Sequence, residues 1–174
     1  MRVVAGSAGG RRLHTPPGRR LRPTSERVRE AVFASLASRG AIAGAKVLDL
    51  FAGTGALGIE ALSRGASTAT FVDADETAIA MVRANLLRIG FTEHATVVRG
   101  DAVRFVEEAA DAGHAFDLVL ADPPYVFGDW PRLLNRLPTP VAVLESDRPI
   151  DPGPGWSAHT RRYGDSVVTL AHRL

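Results

Sequence analysis

The stretch Ala45-Lys46-Val47-Leu48-Asp49-Leu50-Phe51-Ala52-Gly53-Thr54-Gly55-Ala56-Leu57-Gly58 decides the fold. Its first half is a short apolar run of strand type. Its second half satisfies Gly-x-Gly-x-x-Gly and leads into a helical segment, Ala56 to Arg64, that ends at Gly65. A strand, a glycine-rich turn and a helix in that order form the first βα unit of a nucleotide-binding sheet. Gly53 and Gly55 let the backbone turn tightly beside a ligand, and Gly58 lets the helix approach the sheet closely. The pattern also fits a dinucleotide. Asp73, 20 residues beyond Gly53, is placed to accept ribose hydroxyls in either case.

The alternation continues outward from this unit. Ala69 to Val72 reads as a second strand. Glu76 to Ile89 carries Ile79, Val82, Leu86 and Ile89 at helical spacing and stops at Gly90. Ala95 to Val98 is a third strand, Ala102 to Ala112 a helix, and Phe116 to Ala121 a fourth strand. A short helix around Trp130 to Leu137 precedes a fifth strand, Pro140 to Leu144. Trp156 to Tyr163 and Ser166 to His172, joined by Gly164-Asp165, read as an antiparallel hairpin. The expected fold is therefore α/β, with a mainly parallel, doubly wound sheet closed by a C-terminal antiparallel hairpin.

Residues 1–40 stand outside the alternation. Met1 to Ala5 and Arg11 to His14 are expected to pair across a Gly/Ser turn, and Thr24 or Ser25 to cap a helix whose stripe is Val28, Val32 and Leu36. This is an arm belonging to the same domain as the core, residues 41–174. The net charge of +2 hides an asymmetry: residues 1–29 hold eight arginines against one acid, Glu26, while the rest is acidic on balance. A basic arm on an acidic body is the pattern of a protein that meets a polyanion at one end. Arg2, Arg11, Arg12, Arg19, Arg20 and Arg22 are the expected phosphate contacts, against the plainer reading of a solvated basic tail. The chain has no cysteine, which excludes disulfides, thiolate metal sites and thiol nucleophiles. Its five histidines lack ligand spacing, so no metal is expected, and no apolar run is long enough to span a membrane.

Three further carboxylates carry the chemistry. Asp49, at the strand end before the glycines, suits a ligand ammonium and would repel a pyrophosphate; it could equally cap the loop. Asp101, in Gly100-Asp101-Ala102 after the third strand, suits an adenine amino group or, more simply, the N-cap of the next helix. Asp122 opens Asp122-Pro123-Pro124-Tyr125, at the end of the fourth strand. Open α/β sheets bind ligands at that edge. A carboxylate, a stiffened carbonyl and an aromatic ring there suit a flat base bearing an amino group, although an Asp-Pro turn with a surface Tyr uses the same residues. Together these groups favour S-adenosylmethionine over NAD.

The set DLFAGTGALGIEALSRG (49–65), FVDAD (71–75), GDA (100–102) and DPPY (122–125) resembles the class I, Rossmann-like methyltransferases that act on amino groups. The segment RPTSERVREAVF (22–33) is similar to that of the RsmD family of 16S ribosomal RNA guanine-N2 methyltransferases, and the resemblance reaches RRYGDSVVTL (161–170). Asp73 departs from the family, which more often has Glu there. The resemblance implies an S-adenosylmethionine site built from Asp49, Phe51, Gly53, Thr54, Gly55, Gly58, Asp73, Asp101 and Ala102. From their place just ahead of the core, Arg27 or Thr24 is expected to face the methionine carboxylate, unless these residues only anchor the arm to the body. The resemblance implies catalysis at Asp122, Pro123, Pro124 and Tyr125, on 16S rRNA within an assembled or assembling 30S subunit; a cytoplasmic location is the default from composition, and a monomer the default where the sequence leaves oligomeric state unread. Rival readings are a DNA adenine-N6 methyltransferase, an NAD enzyme and a non-catalytic RNA-binding protein. Calorimetry separates the classes: S-adenosylhomocysteine should bind and NAD should not, and the reverse would restore the dinucleotide reading.

Overall fold

Among the described residues, seven strands form one sheet in the order β3-β2-β1-β4-β5-β7-β6. They are β1 (Lys46–Leu50), β2 (Thr68–Asp73), β3 (Ala95–Arg99), β4 (Leu118–Ala121), β5 (Val141–Ser146), β6 (Trp156–Tyr163) and β7 (Ser166–Arg173). The computed structural model describes residues 1–16 and 24–174, without the side chains of Thr24 and Ser25. Strands β1 to β5 are mutually parallel, and β7 runs antiparallel to both β5 and β6. The helices are α1 (Thr24–Ser38), α2 (Ala56–Ser63), α3 (Glu76–Ile89), α4 (Ala102–Asp111) and α5 (Trp130–Asn135), with a short 3-10 turn at Thr92–His94. The architecture is the one expected from the alternation.

The central strands are mainly apolar because both faces of the sheet are covered. One layer packs α1, α2 and α3 against Val47, Leu118, Leu120 and Val143. The other packs α4 and α5 against Leu48, Leu50, Val119 and Leu144. Trp130 is buried in this second layer. Among the described residues, no helix is long and apolar enough to cross a membrane.

The first sixteen residues are built into the core. Arg2 and Arg12 form a single antiparallel bridge, flanked by Val3 N–H to Arg11 O at 2.9 Å and Leu13 N–H to Met1 O at 3.0 Å. Val3, Ala8 and Leu13 are buried in the first layer. Burying Val3 and Leu13 stabilises the docked arm by about 1.5–3 kcal/mol per side chain.

The polar side of the docking centres on Glu60, on α2, whose side chain is fully buried. Its carboxylate accepts the Val4 N–H at 2.8 Å and the Ala5 N–H at 3.1 Å. It also receives Arg64 Nε at 2.7 Å, and Arg29 Nε of α1 lies 3.9 Å away. Ser63 Oγ accepts from Ala8 N–H and donates to the Ala5 carbonyl. On the other side, Asn85 of α3 accepts the His14 N–H at 2.6 Å and donates to the His14 carbonyl at 3.1 Å. Arg11 donates to the carbonyls of Arg88 and Ile89, at the C-terminal end of α3. A cation there satisfies carbonyls the helix leaves unpaired and complements its dipole.

Removing one partner of a buried ionic cluster leaves the others desolvated and uncompensated. Glu60→Ala is therefore expected to destabilise the protein by about 3–5 kcal/mol in urea unfolding. A loss below about 1 kcal/mol would show that the cluster is not what holds the arm.

Candidate functional site

The topological switch lies between β1 and β4, neighbours in the sheet whose successors run outward in opposite directions. A cleft of about 810 Å³ opens there, along the C-terminal ends of the parallel strands. One half is lined by Phe51 to Thr54, by Asp73 to Asp75 and by Asp101 and Ala102; the other by Asp122 to Phe127, Val143, Glu145 and Val168. Asp49 and the α1 residues Val28, Arg29 and Val32 lie between them.

The loop between β1 and α2 follows from its local chemistry. Gly55 caps α2 with φ +79, a conformation that disfavours a side chain. At Gly58 a Cβ would fall 2.3 Å from the Phe71 ring, so only glycine lets α2 lie this close to β2. Gly55 and Gly58 thus shape the loop without lining the cleft. Phe51 has φ +58, the only positive φ at a non-glycine among the described residues. Such a conformation costs on the order of 1–3 kcal/mol and persists where surrounding contacts enforce it. Here the Phe51 ring meets Phe127 edge-on at 5.1 Å, and Phe127 meets Trp130 in the same way at 5.2 Å. The aromatic ladder joins the glycine loop to the loop after Asp122.

The acids take specific backbone partners. Asp73 Oδ2 accepts the Gly53 N–H at 2.8 Å and Oδ1 accepts the Asp75 N–H at 2.9 Å, so this acid pins the glycine loop. Each oxygen retains a lone pair for a ribose hydroxyl. Asp101 N-caps α4 through Arg104 N–H at 2.9 Å and still lines the cleft. Both readings of Asp101 are thus compatible with its position. Asp49 is buried, and its Oδ2 accepts the Gly58 N–H at 2.9 Å. Burial pushes its carboxyl well above the ordinary carboxylate range; the Gly58 hydrogen bond opposes the shift, and the charges of Asp122 and Asp73 add to it.

Asp122 is exposed at the mouth of the cleft, while Pro123 is buried. Tyr125 lines the cleft, and its Oη lies 3.2 Å from Ser166 Oγ. The structure does not bring Arg27 to the cleft: its side chain is exposed on α1, whereas Arg29, two residues on, is buried and lines it. Arg29 donates to the Arg2 carbonyl at 2.6 Å, and its buried Nε, 3.9 Å from Glu60, has no hydrogen-bond partner among the described residues. Arg29, Asn85 and Glu145 were missed in the sequence. Asn85 was legible as a polar residue on the apolar stripe of α3; it is fully buried and donates to the Thr54 carbonyl at 2.9 Å, tying arm and loop together.

Of the proposed phosphate contacts, Arg19, Arg20 and Arg22 lie outside the described residues, as does the side chain of Thr24. Arg2 and Arg12 are exposed, Arg2 within 3.6 Å of Glu26. The guanidinium of Arg11 is held by the α3 carbonyls.

The chain matches the family model described as "Conserved hypothetical protein 95" over residues 1–170. It is 34% identical to the ribosomal RNA small subunit methyltransferase D of Escherichia coli strain K12, covering 100% of this chain and 88% of that one. A solved structure of a hypothetical protein from Thermus thermophilus superposes with a TM-score of 0.84 at 31% identity, covering 98% of each chain. A SAM-dependent methyltransferase from Agrobacterium tumefaciens shares the fold at 19% identity, with a TM-score of 0.67 over 88% of this chain and 63% of its own.

The raised Asp49 carboxyl has a sign that can be tested. The folded protein holds a proton there more tightly than the unfolded chain, whose value is near 3.8. The contribution of Asp49 to stability is thus fully present below 3.8 and is lost as pH rises through the folded-state value. Asp49→Asn is expected to be more stable than the wild-type protein at pH 7 without ligand, with the gap closing towards about pH 4. Urea unfolding across pH checks this; a gap that widens in acid would reverse the assignment.

Proposed function

The chain belongs to the conserved hypothetical protein 95 family, the RsmD family, and is an S-adenosylmethionine-dependent rRNA methyltransferase; on that premise we propose that it methylates the 2-amino group of a guanine in 16S rRNA. A single observation supports the reading most strongly: the glycine loop with Asp73 and the Asp122-to-Tyr125 loop line one continuous cleft. Donor and acceptor can then lie in line across it, and positioning is the main demand of a methyl displacement. The target is presented within an assembled or assembling 30S subunit, and the enzyme acts as a monomer.

The residues present fit the cofactor. Bound S-adenosylmethionine supplies an activated methyl group on a sulfonium. Asp73 accepts the ribose hydroxyls, and Asp101 with Ala102 faces the adenine. Phe51, Gly53 and Thr54 form the floor. The cation offered to the methionine carboxylate is Arg29, which lines the cleft from α1, in place of Arg27. Asp49, costly to ionise when buried, offers its charge to the ammonium.

On the other side, Asp122 and the Pro123 carbonyl accept the two N–H groups of the guanine amine. That amine is a poor nucleophile because its lone pair is delocalised into the ring. Fixing both hydrogens favours the pyramidal geometry of attack and stabilises positive charge as it develops. Pro124 stiffens the loop. Tyr125, its ring held through Ser166, stacks on the base after it leaves its helix, an interaction worth about 1–3 kcal/mol. Arg2 and Arg12 remain the described candidates for phosphate contacts.

Asp122→Ala should lower the methyl-transfer rate about 10²- to 10³-fold while S-adenosylhomocysteine binding is kept. Tritium transfer to 30S subunits from cells lacking the gene, followed by mapping of the methylated nucleotide, checks both rate and target. Near-normal transfer by this variant would remove Asp122 from catalysis.

A further inference from the structure

Glu145 faces the cleft from β5, and none of the roles above uses it. Strands β4 and β5 run parallel in the register Leu120↔Val143 and Ala121↔Leu144. Continued by one residue, that register sets Glu145 level with Asp122. The alternation of side chains turns both towards the face of Leu120 and Val143. Glu145 is half-buried beside Val143 and Val168, in the same half of the cleft as Pro123 and Tyr125.

Its orientation is fixed. Ser166 Oγ donates to Glu145 Oε1 at 2.7 Å. A serine hydroxyl has one proton, so in the 3.2 Å contact between Tyr125 Oη and Ser166 Oγ the tyrosine is the donor. Hydrogen bonds therefore run one way, from Tyr125 through Ser166 to Glu145. They hold the carboxylate as an acceptor beside the loop that handles the amine. No described residue donates a hydrogen bond to its second oxygen, Oε2.

Asp122 and the Pro123 carbonyl cannot by themselves tell one amino-bearing base from another, because guanine and adenine amines present the same two N–H groups. The neighbouring ring position differs. Guanine has an N1–H donor next to its amino group, and adenine has an N1 lone pair. A carboxylate there accepts from the first and repels the second. We infer that Glu145 selects guanine, its Oε2 accepting the N1–H while Asp122 and Pro123 hold the 2-amino group. This rests on the guanine reading proposed above.

The test uses 30S subunits reconstituted with 16S rRNA carrying guanine or 2-aminopurine at the mapped target. 2-Aminopurine keeps the amino group but replaces N1–H with a lone pair. The wild-type enzyme should favour guanine by about 100-fold or more in kcat/KM, as sites built to bind a particular N–H do. Glu145→Gln keeps an oxygen for Ser166 and supplies an amide N–H to the lone pair. It should methylate guanine more slowly and narrow the preference to about 10-fold or less, with unchanged S-adenosylhomocysteine affinity. An equal wild-type rate on both bases, a comparison that needs no variant, would overturn the inference. So would the same preference in wild type and Glu145→Gln. Absence of any N2-methylguanine from the wild-type reaction would instead overturn the guanine reading beneath it.

Discussion

Parallel strands that neighbour one another must end on the same edge of their sheet, and the whole site depends on that constraint. The loops after β1, β2, β3 and β4 are distant in sequence, yet they converge because their strands run side by side in one direction. The fifth parallel strand adds Glu145 to the same edge. The antiparallel β7 then brings Ser166 in from the opposite direction, where it links Tyr125 to Glu145. A cleft forms between β1 and β4 because the connections diverge there. Its two halves inherit different tasks from the loops on either side.

The arm shows how a short basic segment becomes part of such a core. Its apolar residues are few, and its backbone hydrogen bonds within the hairpin fall short of a regular ladder. Glu60 and Ser63 on α2, with Asn85 and Arg88 on α3, take up the backbone groups that a longer hairpin would have satisfied internally. Buried polar groups must be paired, so the docking surface is specific as well as adhesive. Two side chains of this network reach the cleft or its loop. Asn85 bonds Thr54, and Arg29 bridges the arm carbonyl of Arg2 and the cleft wall. The arm and the glycine loop are therefore mechanically joined.

Backbone strain and a carboxyl whose ionisation burial disfavours meet at the site. Phe51 holds a left-handed backbone conformation, and Asp49 is a carboxyl without solvent at the base of the cleft. A rigid surround is what allows both to persist, through the aromatic ladder on one side and the Gly58 N–H on the other. This is the arrangement expected where ligand binding, and not folding, benefits from the local feature.

Much of this was legible in the chain itself, because period and punctuation are local properties. The apolar runs, the helical stripe on α3, the glycine spacing and the hairpin at Gly164-Asp165 each report a neighbourhood of a few residues, and the elements form where those signals lie. Asp49, Asp73, Asp101 and Asp122 were likewise recognisable by their place at strand ends. The partners were another matter. Arg11 reads as a phosphate contact in sequence and is a helix cap in space, because only folding brings the end of α3 within its reach. Arg29 and Arg27 are indistinguishable as letters, but helical geometry buries one at the cleft and exposes the other. Asn85 and Glu145 lie outside every motif, and Glu60 lies within one that does not announce its partners. Their roles arise from contacts between segments far apart in sequence, and only tertiary packing determines which charge is buried and what faces it.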